Sequence, residues 1–258
     1  MRILMLGDVV GEPGRRLLEA FLPNLRRELS VDFVVVNGEN AAHGYGITEK
    51  IARHWLEVLG VDVITTGNHA LDVKGVSTYF QQEPRILRPA NWSPGTPGNG
   101  YIKVHTKTNE EILIINLLGR IGITTLADCP FRAADAILAR ERADVALVDM
   151  HAEASSEKQA MGWYLDGRVS AVIGTHTHVP TLDCKILSNG TAFVTDVGMV
   201  GAHEGVIGMD RHSSLSRFLK VKGDKWKVAE NDLQLHGVFI ETKGRGASRI
   251  ERVMKKLK

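Results

Sequence analysis

The chain has 258 residues, 43% of them hydrophobic and 24% charged, with a formal net charge of +2. These are the proportions of an ordinary globular protein with room for one large core or two small ones, and the near balance of charge does not mark a nucleic-acid binder, whose domains carry a clustered basic face. The two cysteines, Cys129 and Cys184, are far apart and lack C-x-x-C spacing, which argues against a disulfide framework and against a thiolate metal site. The opening MRILMLGDVVG has no signal-peptide apolar core, and no apolar run reaches the roughly 18 residues needed to span a bilayer, so a cytoplasmic protein without a membrane segment is expected.

In chain order, the first third predicts strand–helix–strand units. Arg2–Leu6 is a short apolar strand, Pro13 suits a first helical turn, and Arg16–Leu29 has helical spacing. Phe33–Val36 is a β-branched strand. Thr48 can cap a helix running to Leu59, and Val61–Thr66 is the next strand. Such alternation implies a parallel sheet covered by helices. Pro84–Gly100 reads as a long loop, followed by a hairpin of Tyr101–His105 and Ile112–Asn116. A helix over Phe131–Arg142, a strand over Val145–Val148, a helix over Glu157–Asp166 and a strand over Val169–Ile173 come next. Thr181–Leu187 and Thr191–Thr195 form a hairpin about Ser188–Gly190, and Arg217–Glu241 reads as meandering strands. The Lys/Arg-rich tail KGRGASRIERVMKKLK is expected to be a solvated terminal segment. With no linker or repeat, residues 1–258 are expected to form a single α/β domain.

The chemistry-bearing residues share one position, the carboxyl end of an apolar strand. Asp8 follows ILML, Glu39 and Asn40 follow VVVNG, Asn68 and His69 follow VITTG, His151 follows VALVDM, and His176 and His178 follow AVIGT. In open α/β sheets ligands bind outside those ends. His176 and His178 are two apart, which on an extended chain puts both imidazoles on one side. The set offers imidazoles, carboxylates and carboxamides without a thiolate, which suits manganese, iron or zinc. It is too many ligands for one tetrahedral ion and fits two ions sharing a bridging carboxylate. Two divalent ions outweigh Asp8, Glu39 and a bridging hydroxide in charge, so the site stays cationic and favours an anionic phosphate ester. Two ions about 3.5–4 Å apart can hold the attacking hydroxide and polarise the phosphoryl oxygens.

These motifs resemble the calcineurin-like metallophosphoesterases: Gly7-Asp8, Gly38-Glu39-Asn40, Gly67-Asn68-His69, His151 and Gly174-Thr-His176-Thr-His178. The pattern departs at Glu39, where an aspartate is usual, and at Ala70, where an acidic residue is common; Asp72 lies two positions later. With LGDVVGEPGR, NGENAAHGYGIT and TTGNHALD, the chain is similar to one bacterial subfamily, the YmdB-type phosphodiesterases. The resemblance implies a metallophosphoesterase-type α/β/β/α double-sheet sandwich holding two metal ions, iron or manganese, with zinc as the other option. Asp8, Glu39 and His178 would hold one ion and Glu39, Asn68, His151 and His176 the other, with Asn40 a further ligand or a support, and His69 matches the family's catalytic histidine. It implies a cyclic nucleotide, 2′,3′-cyclic or 3′,5′-cyclic, as the small-molecule substrate. A homo-oligomer is expected; RNA as a partner has no supporting feature. A phosphomonoesterase or nuclease on the same centre, or a regulatory nucleotide- or RNA-binding protein with little turnover, are the alternatives.

Other features are weaker. Gly7–Gly14 lacks G-x-G-x-x-G spacing and is not a dinucleotide loop. Arg15 and Arg16 read as a solvated helix face. Thr195–Gly201 reads as a tight turn, in which Asp196 orients a ligand histidine or has no such role. The glycine-rich Gly201–Met209 is either a mobile rim or a connecting loop. The remaining histidines, His43, His54, His105, His212 and His236, are expected to be structural or surface residues.

Overall fold

The computed structural model describes residues 1–106, 109–220 and 225–257. The first half contains β1 (Arg2–Leu6), β2 (Asp8–Val9), α1 (Gly11–Glu28), β3 (Phe33–Asn37), α2 (Glu49–His54), β4 (Val63–Thr65), α3 (Val76–Gln82), β5 (Tyr101–His105) and β6 (Glu111–Leu118). The second contains α4 (Pro130–Arg140), β7 (Val145–His151), α5 (Ser155–Leu165), β8 (Ala171–Thr175), β9 (Lys185–Ile186), β10 (Ala192–Val194), β11 (Met199–Ala202), α6 (Arg211–Phe218), β12 (Leu233–Lys243) and β13 (Gly246–Lys256). Thr48 caps α2 by accepting a hydrogen bond from the Ile51 amide, as its position predicts, and a π-helical turn over Trp55–Leu59 carries the helix to Gly60.

The strands make two sheets. The first has the order β2-β11-β12-β1-β3-β4, with β13 also paired to β12; the second has the order β5-β6-β7-β8-β10-β9. Strands β1, β3 and β4 are mutually parallel, as are β6, β7, β8 and β10. Side-chain alternation explains why the sheets stack. In β1, Ile3 and Met5 face the second sheet, where they meet Ile114, Leu147 and Ile173, whereas Leu4 and Leu6 face α1 and its Leu18 and Leu22. The second sheet does the same: Leu113, Ile115 and Val148 turn outward onto Ile137 of α4 and Met161 of α5. The result is the α/β/β/α sandwich, with the central apolar layer between the sheets.

Three expectations need correcting. The tail is not a free solvated segment: β13 pairs with β12 along nearly its whole length, and Ile250 and Val253 pack against the core. Its lysines and arginines belong to an unpaired edge, where charge discourages pairing with another chain; Lys258 lies outside the described residues. Within Arg217–Glu241, Arg217 ends a helix capped by Asp210, whose side chain accepts from the Ser213 amide, and only β12 is strand; residues 221–224 lie outside the described residues. The turn expected over Thr195–Gly201 contains β11, which pairs in parallel with β2.

Ile114 is fully buried between the sheets. Ile114→Ala is expected to lower unfolding stability by about 2–5 kcal/mol through transfer and cavity costs, read as a shift of the urea midpoint.

Candidate metal centre

Asp8, Glu39, Asn40 and Asn68 arrive from the ends of β1, β3 and β4 in the first sheet; His151, His176 and His178 arrive from β7 and β8 in the second. Asp8, Glu39, Asn40, His151, His176 and His178 converge at the seam where the carboxyl ends of both sheets meet. Glu39, His151 and His176 bring ligand atoms within 4.8 Å of one another. Asp8 Oδ2 lies 3.4 Å from His178 Nε2, which is 3.2 Å from Asn40 Oδ1. Gly67 permits this approach, because a Cβ there would collide with the Glu39 carboxylate and the His151 ring.

The hydrogen bonds show where the lone pairs point. Each carboxylate spends one oxygen on a backbone amide: Asp8 Oδ1 accepts from His176 N (3.3 Å) and Glu39 Oε1 from His69 N (3.3 Å). Their other oxygens, and Asn68 Oδ1, are buried without a hydrogen bond. Asn40 donates through Nδ2 to Gly44 O, which leaves its Oδ1 turned to His178. Each imidazole is oriented from behind. Thr175 Oγ1 gives its proton to Asp149 (2.6 Å), so it accepts from His151 Nδ1 (2.9 Å). His176 Nε2 faces Glu153 (3.1 Å), and His178 Nδ1 donates to Ile207 O (2.8 Å). The tautomers assigned from these partners turn His151 Nε2, His176 Nδ1 and His178 Nε2 inward as acceptors. His151 Nε2 sits 3.0 Å from Glu39 Oε2 and 3.0 Å from His176 Nδ1.

Buried acceptors facing acceptors repel unless positive charge lies among them. Protons can supply it. Burial alone would lower His151, but the Glu39 charge pushes it up to about 9. Burial and the neighbouring His151 charge push His176 down to about 3, so its imidazole is neutral. Burial opposes ionisation of Asp8, yet the adjacent His178, with His151 and His176, holds its carboxyl below the usual range. Metal cations do the same without competing for the lone pairs, and the donor set of oxygens and imidazole nitrogens fits such ions.

Sequence reasoning misses two supports. Beneath the ligands, Asp149 is fully buried and accepts from Thr65 Oγ1 (2.5 Å), Thr175 Oγ1 (2.6 Å) and Asn37 Nδ2 (3.0 Å), tying both sheets together under His151. Burial pushes its carboxyl up to about 6. Its signal in the sequence is a lone carboxylate inside the apolar run VALVDM. The second support is the buried pair Lys158–Asp196 (2.7 Å). Asp196 reaches the two histidines through Thr177 and not by a bond to either ring. It accepts from the amide (3.1 Å) and hydroxyl (2.6 Å) of Thr177, between the two histidines. That matters because His176 and His178 are not extended: their φ angles are +95° and +64°. Such residues cost about 1–3 kcal/mol each and persist only where their surroundings over-determine them. Arg15, read as a solvated residue, donates to Ala41 O (2.5 Å) and Ala42 O (2.8 Å) behind Asn40.

His69 lies beside the cluster. Its Nδ1 is 2.7 Å from Asp72 Oδ2, so Asp72 supplies the carboxylate missing at position 70. His69, Tyr45, Ile207, Met209, Arg217 and Trp226 line, with Glu39, Asn40, His176 and His178, a cavity of about 620 Å³. Gly201–Met209 is partly β11 and partly a turn closed by Val206 and Met209, and it carries the Ile207 carbonyl that holds His178.

The two-sheet α/β sandwich gathers imidazoles and carboxylates at its strand ends, where Glu39, His151 and His176 could hold a metal ion. The family described as YmdB-like protein matches residues 4–253, and the chain belongs to that family. It is 46% identical over 260 aligned positions to a 2′,3′-cyclic-nucleotide 2′-phosphodiesterase of Bacillus subtilis, covering 98% of this chain and 97% of that protein. Among solved structures, a hypothetical protein from Thermus thermophilus superposes with a TM-score of 0.92 at 42% identity, covering 99% of both chains. A phosphatase from Mycoplasma pneumoniae gives 0.92 at 32% identity, covering 99% of this chain and 93% of that one. The expectation of a phosphoric diester hydrolase agrees with these names. Among the described residues no helix is long and apolar enough to cross a membrane.

Lys158→Met should leave Asp196 buried without its partner. A loss of about 3–5 kcal/mol is expected in denaturant unfolding, well beyond the ~0.5 kcal/mol expected for cutting the exposed Arg53–Glu57 pair. Equal small losses for both would show that the buried pair does not hold the His176–His178 turn.

Proposed function

We propose that the protein is a dinuclear-metal phosphodiesterase that hydrolyses cyclic nucleotides, 2′,3′-cyclic monophosphates foremost and 3′,5′-cyclic ones as a second candidate. The observation that carries this reading is the set of buried acceptors turned on one another beside the His69–Asp72 pair in a substrate-sized cavity. Asp8, Glu39 and His178, with Asn40 beside them, would hold one ion, and Glu39, Asn68, His151 and His176 would hold the other. Manganese or iron is the expected metal, with zinc next. When bound, the two cations supply the charge that draws the phosphoryl oxygens and make a water acidic enough to attack at neutral pH.

The chain's own residues do the rest. Asp72 holds Nδ1 of His69, so the protonated imidazole presents Nε2–H to the leaving oxygen and neutralises it as the P–O bond breaks. Glu153, Thr175 and Ile207 O keep protons on the outer nitrogens of the three ligand histidines, and the inner nitrogens stay free. Residues 1–258 act as one domain in this reading, in the cytoplasm. Self-association belongs to it too, and sedimentation of the purified protein checks that point.

The test is turnover of bis-p-nitrophenyl phosphate, p-nitrophenyl phosphate and 2′,3′-cyclic AMP after reconstitution with manganese. Wild type should cleave the diesters in preference to the monoester. His69→Ala should lower kcat by about 10²–10⁴-fold with metal content unchanged. Faster monoester cleavage would favour a phosphomonoesterase, and tightly bound metal without hydrolysis a binding protein. Separately, Glu39→Gln should cut bound manganese, measured by elemental analysis, and abolish the rise in melting temperature that manganese gives the wild type. An unchanged metal content would remove Glu39 from the centre.

A further inference from the structure

The far wall of the cavity is built by an excursion between β11 and β12. Its root is pinned: Met209 bridges to Val228, Asp210 N donates to Lys227 O (2.8 Å) and Ala229 N to Gly208 O (2.9 Å). The same root carries the Ile207 carbonyl that orients His178, so the excursion has a fixed relation to the ligand cluster. Beyond it, α6 contributes Arg217, and the returning chain contributes Trp226 one residue before the anchored Lys227.

Two features of this pair are unexplained by the metal chemistry. Trp226 is 47% exposed, although an indole gains most from burial. Arg217 lies over it, its guanidinium carbon 3.7 Å from the ring centroid, and among the described residues it has no carboxylate partner. Both side chains face the cavity that holds the ligand cluster. A cation fixed on an aromatic face presents a flat, positive, half-wet surface. On the His69 side, Tyr45 is also about half exposed, its ring 6.4 Å from that of His69. The cavity thus has an acceptor-lined floor for metal and phosphate and aromatic walls above it.

We infer that Trp226, backed by Arg217, is the stacking platform for the nucleobase of the substrate. This deepens the phosphodiesterase reading and rests on it for the substrate class. Stacking suits the position because every base has a π-face, and aromatic stacking is tolerant of base identity. Trp226 is then a specificity-determining residue: it separates nucleotides from phosphate esters that lack a base, while the metals and His69 act on both.

The test measures binding, so it does not depend on turnover. The manganese-reconstituted wild type, Trp226→Ala and Trp226→Phe are titrated calorimetrically with adenosine 3′-monophosphate and, separately, with inorganic phosphate. Trp226→Ala is expected to weaken the nucleotide by roughly tenfold, the loss of one stack, and to leave phosphate unchanged; Trp226→Phe should recover most of the loss. The inference is overturned if Trp226→Ala binds the nucleotide as wild type does, or weakens both ligands equally, or if wild type binds the nucleotide no more tightly than phosphate. Turnover of 2′,3′-cyclic AMP is followed in parallel. Base-dependent binding without hydrolysis would bring down the hydrolase reading and leave the platform standing; hydrolysis without base-dependent binding would do the reverse.

Discussion

Buried lone pairs aimed at one another are the constraint from which the rest of the structure follows. Asp8, Glu39, Asn68, His151, His176 and His178 would separate if nothing positive stood between them, since Asp8 Oδ2, Glu39 Oε2 and Asn68 Oδ1 have traded hydration for burial without a hydrogen-bond donor. The protein prevents that in the polypeptide itself. Outer nitrogens of the histidines are tied to a carboxylate, a hydroxyl and a carbonyl, and one oxygen of each carboxylate is tied to an amide. What remains is rigid and electron-rich, which is what a cation requires of a preorganised site.

Preorganisation has an energetic cost that is visible in the backbone. His176 and His178 both occupy the left-handed region, where residues with a Cβ are disfavoured. The turn between them is held through Thr177 by Asp196, and Asp196 is neutralised by Lys158. A buried ion pair is seldom the most effective way to stabilise a fold. Here it has a second use, since it fixes the direction of two imidazoles at once.

Much of the site was legible in the sequence because its residues are local events. Each ligand ends an apolar strand, and strand ends in a parallel sheet share one edge, so the list of Asp8, Glu39, Asn40, Asn68, His69, His151, His176 and His178 needed no three-dimensional information. The expected reason for pairing His176 with His178 was wrong in detail: strained turn geometry, and not extended backbone, sets their directions. What stayed hidden is non-local. Asn37, Thr65, Asp149 and Thr175 lie up to 138 positions apart and meet only because two sheets stack. The basic tail misled because its alternation is weak, and only the long partner β12 shows it to be an edge strand. Asp72 was visible as an acidic residue, but its contact with His69 depends on the turn that follows Gly67.

The division of donor atoms between the sheets would connect a bound metal to the fold. The first sheet delivers only oxygens, from Asp8, Glu39, Asn40 and Asn68, and the second only imidazole nitrogens, from His151, His176 and His178. An ion held by Glu39 and His151 therefore spans the interface that the apolar layer of Ile3, Met5, Ile114 and Leu147 closes elsewhere. Oxygens alone would favour hard ions with water around them, and nitrogens alone would lack the negative charge to retain two of them. Only the stacked pair of sheets makes a mixed site. Metal affinity and the docking of one sheet on the other would then be two views of the same free energy, and a change that shifts the sheets would be felt at the centre before it was felt in either sheet alone.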